Sequence, residues 1–194
     1  MPYGYIFLFL IKQKMKIAQN QPTYKLARKT KKRALVLGVG NIILKDDGLG
    51  VRTAEFFERA YSFGSDVSCI DGGTAGTGLL SLFSEFSHII IIDALSSDSL
   101  PGTIYTFSGE ALKKNGARLK TSAHSIGIKD LLDLAAFEGS HPAVSIIGIV
   151  PSDISPGLEL SDAVSEKLPE AARIISDTLK RFGFKAAKRK GRDA

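Results

Sequence analysis

His88-Ile-Ile-Ile-Ile-Asp93 constrains the fold more than any other stretch of the chain. Four consecutive isoleucines leave no polar side for water, so the segment reads as a strand covered on both faces, as in the parallel sheet of an α/β protein. The rest of the sequence agrees from Ala34 onward, where short apolar runs alternate with helical periodicity. Ala34 to Leu37 is the first strand and Val67 to Asp71 the second. Val144 to Val150 is the last, stopped by Pro151. Thr103 to Phe107 follows Asp93 after only nine residues, less than a parallel crossover needs, so it is expected to run antiparallel.

Four helices have clear inward stripes. Val51, Ala54, Phe57 and Tyr61 define the first, which Gly64 is expected to end. Leu79, Leu80, Phe83 and Phe86 mark a short one, and Ile128, Leu131, Leu132 and Ala135 a third. A final stripe runs through Val164, Leu168, Ala171, Ile175, Leu179 and Phe182, with Pro169 expected to kink or split it. Residues 108 to 123 are polar and basic without a period and read as a mobile connection. The expected architecture is α/β: one domain, a five-stranded, mostly parallel, twisted sheet with one antiparallel strand, and helices on both faces.

Charge separates that domain from its ends. The chain is 194 residues long with net charge +6, yet its first 33 residues carry nine Lys or Arg and no acid. The last twelve carry five basic residues against one acid, which leaves −7 for residues 34 to 182. The basicity therefore belongs to the ends, where blocks of one sign are commonly solvated, and no nucleic-acid partner is expected. Residues 1–32 are assigned to a basic extension, disordered or arising from a mis-assigned start with Met15 as the true one. Residues 33–183 are assigned to the folded domain and 184–194 to a basic tail. The apolar run Tyr5 to Ile11 is far shorter than the roughly 20 residues of a membrane span. It also lacks the flanks of a signal peptide, which leaves a short amphipathic anchor as the alternative to the upstream start. The single Cys69 excludes an intrachain disulfide and fits a reducing cytoplasm.

Functional chemistry is expected outside the carboxyl ends of the parallel strands, where open α/β sheets place their sites. The loop after the first strand, Gly38-Val-Gly-Asn41 running into Asp46-Asp-Gly-Leu-Gly50, presents paired acids and tight turns. It is not a dinucleotide loop, because position 43 is Ile43 where the third glycine would stand, and no phosphate-cradling lysine motif occurs in the chain. The G-x-S-x-G elbow of serine hydrolases and the H-E-x-x-H zinc motif are also absent. Asp47 follows the first strand, Asp93 ends the third, and His124 opens the helix beyond the polar connection. Two carboxylates and an imidazole suit nickel, zinc or manganese. Each also has a plain structural role available: a helix cap for Asp47, a loop-tying strand-end acid for Asp93, a cap or interior histidine for His124. Gly40, Asn41, Asp71, Gly72, Gly73 and Thr74 form the two candidate substrate loops, Asp71 orienting the second. Cys69 reads as an inert core thiol, and neither His88 nor His141 has a functional context.

Beyond these separate readings, several blocks recur in register. Gly38-Val-Gly-Asn41, Asp46-Asp-Gly-Leu-Gly-Val-Arg52, Asp71-Gly-Gly-Thr-Ala-Gly76, Asp93-Ala94, Pro101-Gly-Thr103, Ser122-Ala-His-Ser-Ile-Gly127 and Gly148-Ile-Val-Pro151 together resemble the hydrogenase maturation proteases over residues 33 to 182. The resemblance implies an endopeptidase that removes a short C-terminal extension from the large subunit of a nickel-iron hydrogenase after nickel insertion. It implies a metal-recognising trio at Asp47, Asp93 and His124, with nickel, or another divalent metal, brought by the precursor that is the partner. Some members carry Glu at the first of these positions, one methylene longer than Asp47. Asp47 and Asp93 are the candidate catalytic groups. A non-proteolytic nickel-site checkpoint or small-ligand module using the same loops is the alternative.

Overall fold

The computed structural model describes residues 32–115, 120–121 and 127–190, with side chains given outside 113–121. His124, the first 31 residues and the last four lie outside the described residues. The elements in chain order are β1 (Ala34–Val39), a 3-10 turn (Lys45–Gly48), α1 (Leu49–Ala60), β2 (Tyr61–Phe63), β3 (Val67–Gly73), a second 3-10 turn (Gly76–Leu79), α2 (Leu80–Glu85) and β4 (His88–Ser96). There follow β5 (Ile104–Ser108), α3 (Gly109–Asn115), β6 (Lys120–Thr121), α4 (Ile128–Phe137), β7 (Ala143–Ile149), α5 (Asp162–Ser165), α6 (Leu168–Arg181) and β8 (Ala186–Lys188).

The isoleucine strand is central. The main sheet runs β3-β1-β4-β7-β5, and β4 pairs in parallel with β1 on one side and β7 on the other. Because side chains alternate along a strand, Ile90 and Ile92 enter one core with α1 and α6, while Ile89 and Ile91 enter the other with α2 and α4. All four are sealed from water, and each such burial contributes about 1.5–3 kcal/mol. That double burial makes the sheet three-layered, with helices on both faces. β5 runs antiparallel to β7, as its short connection required.

Local chemistry sets the element ends. Pro169 falls in the first turn of α6, where its missing N–H is not needed, and the expected split separates α5 from α6. Three expectations are corrected. The first helix stops at Ala60 instead of Gly64, and Tyr61 to Phe63 turn into β2, whose partner is β8. The stretch after residue 108 is not all connection: Gly109–Asn115 is helical and Leu112 is buried in the second core. Ala111 and Leu112, adjacent and followed by lysines, give too little period to find from sequence.

The fold also continues past Gly183. Phe184 and Ala186 are buried in the first core and β8 pairs antiparallel with β2, so residues 184–188 belong to the domain and not to a tail. The charge block hid them because the basic side chains, Lys185 between the two buried residues and Lys188 to Lys190 after them, all lie on exposed positions. His88, half-buried, is packed against Phe182 and Phe184, and burial together with nearby Lys32 lowers its pKa. Among the described residues no helix is long and apolar enough to cross a membrane.

Candidate active site

The order β3-β1-β4 contains a reversal. After β1 the chain crosses to β3 on one flank, then returns to place β4 on the other. The loops leaving β1 and β4 at their carboxyl ends therefore diverge, and the crevice between them is where open α/β sheets bind ligands. Asp47 lies in the 3-10 turn following β1, and Asp93 lies in β4, one residue past Ile92, which is paired with Gly38.

Close backbone packing holds the two acids at this one edge. A side chain on Gly50 would overlap the carbonyl oxygens of both Val39 and Ile92, so α1 starts directly on the ends of β1 and β4. Gly40 has φ +135, and a Cβ there would overlap the Asp47 carbonyl oxygen. Only glycine takes that conformation and that contact, so the glycines of the loop bring its acids down onto the strand ends. The turn carrying Asp47 is in contact with β4.

Asp47 and Asp93 are both buried, at 7% and 2% exposure. Asn41 N–H donates to Asp47 Oδ2 at 3.1 Å, and Ala94 N–H donates to Asp93 Oδ1 at 2.8 Å. These bonds fix the directions of both carboxylates. Gly48, the residue after Asp47, stands at the N-cap of α1.

The two candidate substrate loops meet at the same edge. Gly40 N–H donates to the Gly73 carbonyl at 3.0 Å, tying the loop after β1 to the loop after β3. Asp71 is exposed and accepts from Gly73 N–H at 2.8 Å, which fixes the turn at Gly73 (φ +45), so its expected role in orienting the glycine loop has a concrete contact. Gly72 packs on Leu37 and Gly38, and Thr74 is exposed at the rim. Cys69 is away from this chemistry, and burial followed by the Glu58 charge pushes its thiol up to about 12.

His124 is outside the described residues, so the trio is seen only through its two acids. Among the described residues no group of three or more His, Cys, Asp or Glu side chains is placed to hold a metal ion. The backbone before His124 is nonetheless anchored beside Asp93: β6 pairs antiparallel with the end of β4, Thr121 opposite Leu95.

Sequence reasoning overlooked Asp46. It is fully buried, its Oδ2 accepts from Ser152 N–H at 2.8 Å, Asp153 N–H at 3.0 Å and Ser161 Oγ at 2.7 Å, and its Oδ1 accepts from Ser161 N–H at 2.7 Å. Its own N–H donates to the Asp153 carbonyl. Lys45, at φ +44, donates its N–H to the Gly157 carbonyl and pairs with Asp153 through Nζ at 2.6 Å. That pair, joined by the Ser155 N–H, holds the Asp153 carboxyl down at about 2. The loop after β7 is thus bolted to the loop after β1 through the acid next to Asp47. The only sequence signal was the doubling of the acid, which does not say which aspartate faces in.

Fold and site together define an α/β protein with two oriented, buried carboxylates at the topological reversal of its sheet. A family model described as hydrogenase maturation protease matches residues 51–178, a span that holds Asp93 and His124 and begins four residues after Asp47. The chain is 36% identical to the hydrogenase 2 maturation protease of Escherichia coli K12, over 81% of this chain and 96% of that protein. It is 34% identical to the hydrogenase expression/formation protein HupD of Rhizobium leguminosarum bv. viciae, over 78% and 76%. The solved structure of the hydrogenase maturating endopeptidase HybD of E. coli superposes with a TM-score of 0.74, covering 81% of this chain and 98% of that one at 34% identity. The nickel-iron hydrogenase maturation protease HybD of Thermococcus kodakarensis superposes at 0.62, covering 75% and 98% at 32% identity. The chain belongs to the hydrogenase maturation protease family, and it is an endopeptidase of that family.

Proposed function

We propose that this endopeptidase removes the C-terminal extension of a nickel-iron hydrogenase large-subunit precursor after nickel insertion, and that Asp47, Asp93 and His124 recognise the metal the precursor carries. The observation that supports this reading is the presence of two buried, hydrogen-bond-oriented carboxylates at one edge of the sheet, Asp47 from the turn after β1 and Asp93 from the end of β4, which that turn contacts. Carboxylate and imidazole donors suit nickel and other divalent first-row ions. The chain from Thr121 to His124 is three residues long, a reach of at most about 10 Å, and Thr121 is paired two residues beyond Asp93.

A divalent ion at such a position polarises a carbonyl and lowers the pKa of a bound water. The chain's own residues supply the rest. Asn41 N–H and Ala94 N–H hold the two carboxylates in place, and whichever of Asp47 and Asp93 faces the water takes its proton as general base. The glycine loop around Gly72, Gly73 and Thr74, held to Gly40, gives the peptide an approach with little side-chain bulk.

The test is cleavage of a purified precursor in nickel-loaded and nickel-free forms. Truncation of the loaded form only, lost in Asp93→Asn and His124→Ala, is the expected result. Equal cleavage of both forms, or full activity of those variants, refutes metal recognition by the trio.

A further inference from the structure

Large apolar side chains left in water are concentrated on one edge of the molecule. Of the seven that are exposed among the described residues, five lie on loops that follow the carboxyl ends of strands: Ile42 and Ile43 after β1, Leu100 after β4, and Ile154 and Leu158 after β7. The other two, Leu134 and Phe137, lie on the last turns of α4, which feeds the amino end of β7. The first five therefore share the rim that carries Asp47 and Asp93, and the last two face away from it.

Four of the five stand on a rigid frame. Gly157 N–H donates to the Ile43 carbonyl, Lys45 N–H donates to the Gly157 carbonyl, and Leu44 bridges Gly157 in parallel. The Asp46 carboxylate locks the same two loops from beneath through four hydrogen bonds. Ile43 and Leu158 are thereby held one hydrogen-bonded step apart, at 58% and 60% exposure, with Ile154 on the same loop as Leu158 at 56%. Loops with this much internal bonding had the means to turn such side chains inward, and water-facing isoleucines on a preorganised surface mark a contact site.

Lys45 and Asp153 neutralise each other at 2.6 Å and Asp46 is buried, so a ligand lying here meets the exposed apolar side chains together with the exposed Glu159 beside Leu158. Ile42 and Ile43 belong to the loop that carries Asp47, and Ile154 and Leu158 to the loop tied to it, so a peptide held at that acid has this apolar surface beside it.

We propose that Ile42, Ile43, Ile154 and Leu158 form the docking surface for the precursor, taking an extended apolar segment of its chain beside the scissile bond. This rests on the proposed function, of which it names the recognition surface. The four side chains are exposed, so replacing them leaves the core intact.

The experiment compares wild type, the triple variant Ile43→Ser/Ile154→Ser/Leu158→Ser and the control Leu134→Ser/Phe137→Ser, each with a nickel-loaded nickel-iron hydrogenase large-subunit precursor. Binding is measured by biolayer interferometry and cleavage by electrophoresis, with thermal melting as the fold check. The triple variant is expected to bind on the order of 100-fold more weakly, about tenfold or less per side chain, with raised KM, kcat within about twofold and an unchanged melting temperature. The control is expected to match wild type in all of these. Equal binding by wild type and the triple variant overturns the docking surface, as does equal weakening in the control. Wild-type binding without cleavage, weakened in the triple variant, overturns the proteolytic reading and leaves the docking surface standing. Neither binding nor cleavage by wild type overturns both.

Discussion

Asp46 and Asp47 are adjacent identical residues, the first a bolt between two loops and the second proposed for the site, and replacing each in turn separates these duties. Asp46→Ala removes the acceptor for three backbone N–H groups and the Ser161 hydroxyl in a fully buried position. A hydrogen bond to a charged acceptor contributes about 1.5–3 kcal/mol, which for four bonds sums to roughly 6–12 kcal/mol. The bonds share one carboxylate and water will enter the gap, so the losses are not additive. The expected cost is about 3–5 kcal/mol, comparable to breaking a buried ion pair and a large part of the roughly 5–15 kcal/mol that holds a domain folded. Asp46→Asn keeps one carbonyl oxygen but turns an NH2 group toward donors, and is expected to cost about half as much. Asp47→Asn, whose amide oxygen can still accept from Asn41 N–H, is expected to change stability by less than about 1 kcal/mol while abolishing precursor cleavage. The assay is urea unfolding of all three variants followed by intrinsic fluorescence, with cleavage measured on those that remain folded. A loss below about 1 kcal/mol for Asp46→Ala would refute the role of this carboxylate as the bolt between the loops. So would a loss for Asp47→Asn equal to that of Asp46→Ala.

Three further outcomes follow from the same geometry. Gly40→Ala puts a methyl group into the Asp47 carbonyl at a φ that only glycine takes freely, and is expected to cut cleavage at least about tenfold by displacing the Asp47 turn; wild-type activity in this variant would refute the close approach. The Lys45 ion pair lowers the Asp153 pKa to about 2, so its contribution is present above the ordinary carboxylate range and is lost as pH falls through about 2. Melting temperatures of wild type and Lys45→Ala are accordingly expected to differ at neutral pH, less so in high salt, and to converge in strong acid; a difference independent of pH would refute the pair as its cause. Cys69, pushed up to about 12 by burial, is expected to react with a disulfide reagent at pH 8 only after denaturant is added, and rapid labelling of the native protein would contradict its burial.

Much of the architecture was written in local pattern. The isoleucine run could only be central, the short link from Asp93 forced an antiparallel partner, and Pro169 divided the last helix. What misled was charge and small scale. Lysines around Leu112 disguised α3, and the basic run after Gly183 disguised β8, because an exposed edge strand or short helix needs only one or two apolar anchors and leaves its other positions polar. At the site, Asp47 and Asp93 could be proposed because strand ends in a parallel sheet share an edge, whereas Asp46 could not be assigned: its donors, Ser152, Asp153 and Ser161, lie more than a hundred residues away.

Periodicity, chain length between elements and glycine placement are properties of neighbours along the chain, so the amino-acid order by itself determined the five strands of the main sheet, the antiparallel sense of β5, and which loops open on the carboxyl edge. The partners of Asp46, the exposure shared by Ile43, Ile154 and Leu158, and the closure of β8 on β2 join residues that are remote in sequence. Only packing decided those, because a buried carboxylate must take its donors from whatever backbone the fold brings to it.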